Sequence, residues 1–80
     1  MTWQDILKEY DIEKEIKDML GNPTDNEYKM YSEIFQDGRK GTMTVQEYVA
    51  DYMGEDYYTD EEADLIAYFY GLGQRRKTWW

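Results

Sequence analysis

The stretch Thr59-Asp60-Glu61-Glu62-Ala63-Asp64-Leu65-Ile66-Ala67-Tyr68-Phe69-Tyr70-Gly71-Leu72 decides the fold. Thr59 followed three residues later by Glu62 has the spacing of a capping box. In that device the threonine hydroxyl accepts from the third residue's amide, and that residue's side chain reaches back to the threonine amide. Downstream, the residues from Leu65 to Leu72 are apolar nearly all round a helical wheel. A helix with no polar face cannot lie on a surface, so this one is predicted at the centre of a helical domain. Gly71 and Gly73 are its expected end.

The same punctuation recurs upstream. Thr2 precedes Asp5, Thr24 precedes Glu27 and Thr44 precedes Glu47, so four of the six threonines stand in this frame. Each opens an apolar-periodic run. After Thr2 come Trp3, Ile6, Leu7 and Tyr10; after Asp11 come Ile12, Ile16, Met19 and Leu20, on the opposite side of the same wheel. That phase flip predicts a break near Tyr10-Asp11, with Asp11 capping a second segment. Gly21-Asn22-Pro23 stops it. The Thr24 helix carries Tyr28, Tyr31 and Phe35 on one stripe, flanked by Met30 and Ile34, and Asp37-Gly38-Arg39-Lys40-Gly41 reads as a turn-rich loop. The Thr44 helix has the cleanest face (Val45, Tyr48, Val49, Tyr52, Met53) and ends at Gly54. The expectation is an all-α, compact single-domain bundle of four to five short helices, joined by Gly/Pro/Asn/Asp turns. It spans residues 1–80, with 74–80 as a basic, aromatic tail.

Composition narrows the chemistry. The 80 residues include no cysteine and no histidine, and Ser32 is the only serine. This removes thiolates, disulfides, imidazole bases, the usual zinc ligands and serine triads. A chain this short also has little left to wall a cleft once its core is built. No enzymatic activity, cofactor or metal is expected. Nine tyrosines, three tryptophans and two phenylalanines supply the buried area, with more tyrosine than a small core hides. The surplus is expected at the surface as contact area. Met1-Thr2-Trp3-Gln4-Asp5-Ile6 lacks a basic n-region and an apolar h-region, and no apolar run approaches the roughly 20 residues that span a bilayer. The expected address is cytoplasmic (host cytoplasm if the protein is viral).

Residues 24–53 resemble an EF-hand that has lost its metal. With Gln36 at the first loop position, Gly41 takes the glycine position, Met43 the apolar position and Glu47 the bidentate twelfth, followed by the aromatic Tyr48. The oxygen-ligand positions one, three and five hold Gln36, Gly38 and Lys40, so calcium binding is not expected. The competing reading is an ordinary helix-turn-helix in which Glu47 caps its own helix.

The charge is unevenly spread. The chain carries a net −9, yet its first forty residues hold ten acids and six bases, an ordinary mixed surface. From Gly41 to Gln74 there are eight acids and no lysine or arginine. They are Glu47, Asp51, Glu55, Asp56, Asp60, Glu61, Glu62 and Asp64, with Tyr57 and Tyr58 among them. First-turn carboxylates gain a few tenths to about 1 kcal/mol each from the helix dipole, which accounts for Asp60, Glu61 and Glu62. It does not account for the missing bases, which leave the acids repelling one another. A solvated face and a binding face therefore both remain open. As a binding face, Asp51, Glu55, Asp56, Tyr57, Tyr58, Asp60, Glu61, Glu62 and Asp64 would meet a cationic partner. Nucleic acid and anionic membranes are disfavoured, since lysine and arginine win those. The basic surface of a nucleic-acid-binding protein fits instead.

In size, acidity and helix content the chain resembles small phage-encoded inhibitors that mimic DNA, including some anti-CRISPR and anti-restriction proteins. That resemblance implies a stoichiometric inhibitor, monomeric or homodimeric, that occludes such a surface. The alternative is a structural or adaptor domain that self-associates through an aromatic face, with Tyr48, Tyr52 and the terminal tryptophans. The tail, Gln74-Arg75-Arg76-Lys77-Thr78-Trp79-Trp80, reverses the sign. It reads either as a cationic complement to the last helix's C-terminus or as an exposed Arg/Trp anchor.

Overall fold

The computed structural model describes residues 2–54 and 58–76. Among them the chain forms five helices and no strand: α1 (Trp3–Glu9), α2 (Glu13–Leu20), α3 (Asp25–Lys40), α4 (Val45–Met53) and α5 (Asp60–Arg75). The all-α expectation holds. By its contacts the chain divides into two units, Met1–Glu33 and Ile34–Trp80, and α3 runs through the boundary.

All four capping boxes form. The hydroxyls of Thr2, Thr24, Thr44 and Thr59 accept from the amides of Asp5, Glu27, Glu47 and Glu62, and each acid accepts from its threonine's amide. Each cap contributes on the order of 1 kcal/mol. At Asp5 these hydrogen bonds from Thr2 hold the carboxyl below its ordinary pKa.

In the first unit, Ile6, Leu7, Ile12, Ile16 and Tyr31 are buried. Ser32, also buried, donates its hydroxyl to the Lys29 carbonyl at 2.8 Å. The break between α1 and α2 falls at Tyr10-Asp11 as expected, but Asp11 does not cap α2. Its φ of 54° is left-handed, and Ile12 occupies the cap position without a side-chain hydrogen bond. The Ile12 amide donates back to the Leu7 carbonyl at 3.2 Å. That is the six-to-one bond of a Schellman motif, with aspartate in the place glycine usually takes. Ile12, two residues past the helix cap, is fully buried, as the apolar residue at that place in the motif usually is. Met19, expected on the apolar face, is 44% exposed.

In the second unit the helices run further than the sequence suggests. Asp37–Lys40 is helical rather than a loop, and α5 continues through Gly71 and Gly73 to Arg75. The reason is a close crossing. A β-carbon on Gly38 would run into the Tyr70 carbonyl oxygen and lie 3.1 Å from the Gly73 Cα. One on Gly73 would run into the Phe35 carbonyl oxygen and lie 3.0 Å from the Gly38 Cα. Glycine here allows backbone contact and does not end the helix.

The two helices also cap each other. Gln74 Nε2 donates to the carbonyls of Gly38 (2.8 Å) and Gly41 (3.0 Å), and Arg39 Nε donates to the Arg76 carbonyl (3.2 Å). These are terminal carbonyls that a helix cannot satisfy internally. The continuation of α3 also removes the EF-hand resemblance, because Gln36 to Lys40 are helical. Glu47 is the capping glutamate of the Thr44 box.

Around this crossing Ile34, Phe35, Tyr48, Ile66, Phe69, Tyr70 and Leu72 are buried. The rings of Tyr48 and Tyr70 stack with centroids 4.0 Å apart and planes 13° from parallel. Tyr70 donates its hydroxyl to the Met43 carbonyl at 2.8 Å, tying the α3–α4 connection to α5.

Candidate functional site

The second unit positions the acidic segment through α5. From Ile66 onward the helix is held by Ile66, Phe69, Tyr70 and Leu72, all less than a tenth exposed, which anchors the first turns that precede them. Asp60, Glu61 and Asp64 are exposed. At 3.6 residues per turn they share an arc of about 100°. Asp51, near the end of α4, is exposed as well.

The other expected site residues differ. Glu62 is half-buried, and its Oε1 accepts from both the amide and the hydroxyl of Thr59 at 3.1 Å. That oxygen is committed to the helix start, which sets Glu62 apart from the fully exposed acids. Tyr58 is half-buried, its ring centroid 6.0 Å from that of Tyr52. Glu55, Asp56 and Tyr57 lie outside the described residues, as do Lys77, Trp79 and Trp80 of the tail. The described acids brought together are thus Asp60, Glu61 and Asp64. Arg75 and Arg76 stand at the far end of the same helix, where the Arg76 guanidinium lies 6.0 Å from the Phe35 ring centroid. Sixteen residues of α-helix span about 24 Å, so these cations do not neutralise the acidic first turns.

Tyr48 leaves the aromatic face expected for self-association. It is 8% exposed and donates a 2.7 Å hydrogen bond to Asp37 Oδ2. Burial, with that hydrogen bond and the carboxylate charge behind it, pushes the Tyr48 phenol far above the ordinary tyrosine value. Tyr70 is raised too, first by burial and then by the charges of Asp37 and Glu47. Both phenols stay protonated at neutral pH and donate hydrogen bonds, to Asp37 and to the Met43 carbonyl. They line an open pocket of about 260 Å³ with Asp37, Lys40, Gly41 and Met43. Drug-sized ligands occupy roughly 300–1,000 Å³, so this pocket suits a single side chain. Among the described residues no group of three or more carboxylates is placed to hold a metal ion. No helix there is long and apolar enough to cross a membrane.

One feature escaped the sequence reading. In the first unit Trp3 and Tyr28, each assigned to an apolar stripe, are half-buried with ring planes 10° from parallel and centroids 6.5 Å apart. A shared signal existed: each follows closely on a capping threonine, at a helix start, where burial is incomplete.

The chain matches no protein-family model, no curated protein and no solved structure.

Proposed function

We propose that this protein is a stoichiometric binding module whose acidic face docks on the cationic, nucleic-acid-binding surface of a protein partner and occludes it. The observation that carries this reading is the exposed arc of Asp60, Glu61 and Asp64 on a helix anchored by its buried half. It lies within a run of 34 residues, Gly41 to Gln74, that contains no lysine or arginine. A rigid carboxylate array presents fixed negative charge to a groove built for phosphates, and long-range attraction speeds the encounter. Asp51, exposed near the end of α4, belongs to the same base-free run, as do Glu55, Asp56 and Tyr57. Binding rather than catalysis is supported by the side-chain size of two pockets among the described residues and by the absence of histidine and cysteine. The viral, DNA-mimicking role belongs to the same proposal.

The test is capture of a partner from nuclease-treated lysate by the immobilised chain, repeated at low and high salt and with duplex DNA as competitor. Capture should weaken with salt, yield to DNA, and disappear in the Asp60→Lys/Glu61→Lys/Asp64→Lys variant. A partner retained by that variant, or indifferent to DNA, rules the reading out.

A further inference from the structure

The Trp3–Tyr28 pair lies in the Met1–Glu33 unit, apart in sequence from the acidic segment. Its near-parallel planes have centroids 6.5 Å apart. Aromatic rings with centroids about 4.5–7 Å apart pack against each other in an offset arrangement, so the pair presents flat aromatic surface to the pocket beside it. Both rings line one pocket of about 190 Å³, together with Gln4, Leu7, Lys8, Glu13 and Asp25. Leu7 is buried and forms an apolar wall, whereas Glu13, Asp25 and Lys8 are exposed, two carboxylates to one ammonium. The volume is below the roughly 300 Å³ where small-molecule sites begin, and suits one side chain.

A flat shape, a positive charge and several donors in one plane define the group that fits. A guanidinium has all three: it stacks on aromatic faces, is weakly hydrated and presents its donors as a planar fork. A lysine ammonium is a compact, strongly hydrated point charge and gains less against an aromatic face. An anionic group would meet Glu13 and Asp25. We propose that the Trp3–Tyr28 pocket receives one arginine side chain of a protein partner, stacked on the two rings with its donors turned to Asp25 and Glu13. This site does not depend on the acidic arc of α5, and either can fail without the other.

The experiment follows the Trp3 indole N–H, the Tyr28 ring and the Leu7 methyls of the full chain by NMR. N-acetyl-arginine amide, N-acetyl-lysine amide and adenosine are added in turn. The arginine compound should give saturable shifts at all three residues. A cation–π contribution of about 0.5–1 kcal/mol made by the guanidinium and not by the hydrated ammonium corresponds to binding about two- to fivefold tighter than for the lysine compound. Tyr28→Leu should abolish the response, and Asp25→Asn should weaken it about two- to threefold by removing one charge-assisted hydrogen bond. The methyl resonances of Ile12 and Ile16, buried in the same unit, should stay dispersed in both variants, which reports that this unit's fold is kept. Equal binding of the two amides, stronger binding of adenosine, no saturable shift, or an arginine response that survives Tyr28→Leu would each overturn the assignment.

Discussion

Gly38 and Gly73 meet backbone to backbone, each so close to the other's helix that a β-carbon on either would strike main-chain atoms. Gly71, two residues earlier on α5, has no such neighbour: a β-carbon there would lie 3.6 Å from Arg75 Nη1 and 3.7 Å from Val45 Cγ2. Helix propensity alone favours alanine over glycine by about 1 kcal/mol at either position. Structure splits them. Gly71→Ala is expected to stabilise the protein by up to about 1 kcal/mol. Gly73→Ala is expected to destabilise it by about 3 kcal/mol or more, because backbone cannot rotate out of the way as a side chain does. Urea unfolding of the two variants checks this, and equal shifts would contradict the crossing.

The Tyr48–Asp37 bond predicts an alkaline limit. Both Tyr48 and Tyr70 have folded-state pKa values raised above the unfolded value of 10.0. The folded protein therefore holds these protons more tightly than the unfolded chain does. The stabilisation is complete below pH 10 and is lost as pH rises through the raised values. Thermal melts should show a constant midpoint up to about pH 9 and a steep fall above pH 10. Tyr48→Phe should remove part of that fall and cost about 1 kcal/mol at neutral pH through the lost hydrogen bond.

Asp11 sits at φ 54° in the turn between α1 and α2. Aspartate tolerates this conformation better than most residues, and glycine tolerates it best. Asp11→Gly should leave stability unchanged or raise it by up to about 1 kcal/mol, while Asp11→Val should lower it by about 1–2 kcal/mol. Denaturant midpoints distinguish the two. A tolerated valine would place the turn elsewhere.

Charge reversal separates scaffold from surface on α5. Asp60→Lys/Glu61→Lys/Asp64→Lys, at exposed sites, should keep the helical circular dichroism spectrum and lose at most about 1 kcal/mol per residue of dipole interaction. Repulsion relieved over the acidic segment offsets part of that loss. Glu62→Lys alone should cost about 1 kcal/mol, because Glu62 closes the Thr59 box. If Glu62→Lys is silent, the cap is not contributing as its geometry indicates.

Of the proposed binding surface, the segment was legible in the residues but not which of its acids are exposed. Asp60, Glu61, Glu62 and Asp64 look equivalent as letters. Only the hydrogen bonds from Thr59 set Glu62 apart from the others, and only burial removes Tyr48 from the aromatic face. The Trp3–Tyr28 pocket was invisible because its two rings come from separate helices, and their spacing is set by packing in the first unit.

What the residues determined unaided were the helix starts and the all-α class. A capping box closes within four residues, and apolar periodicity is read within a few turns, so both are local properties of the chain. Where α3 and α5 end was decided by tertiary structure. A glycine can stop a helix or let two helices touch, and which it does depends on what lies opposite it. For Gly38 that partner is Gly73, thirty-five positions along the chain, and the contact between them keeps both helices going.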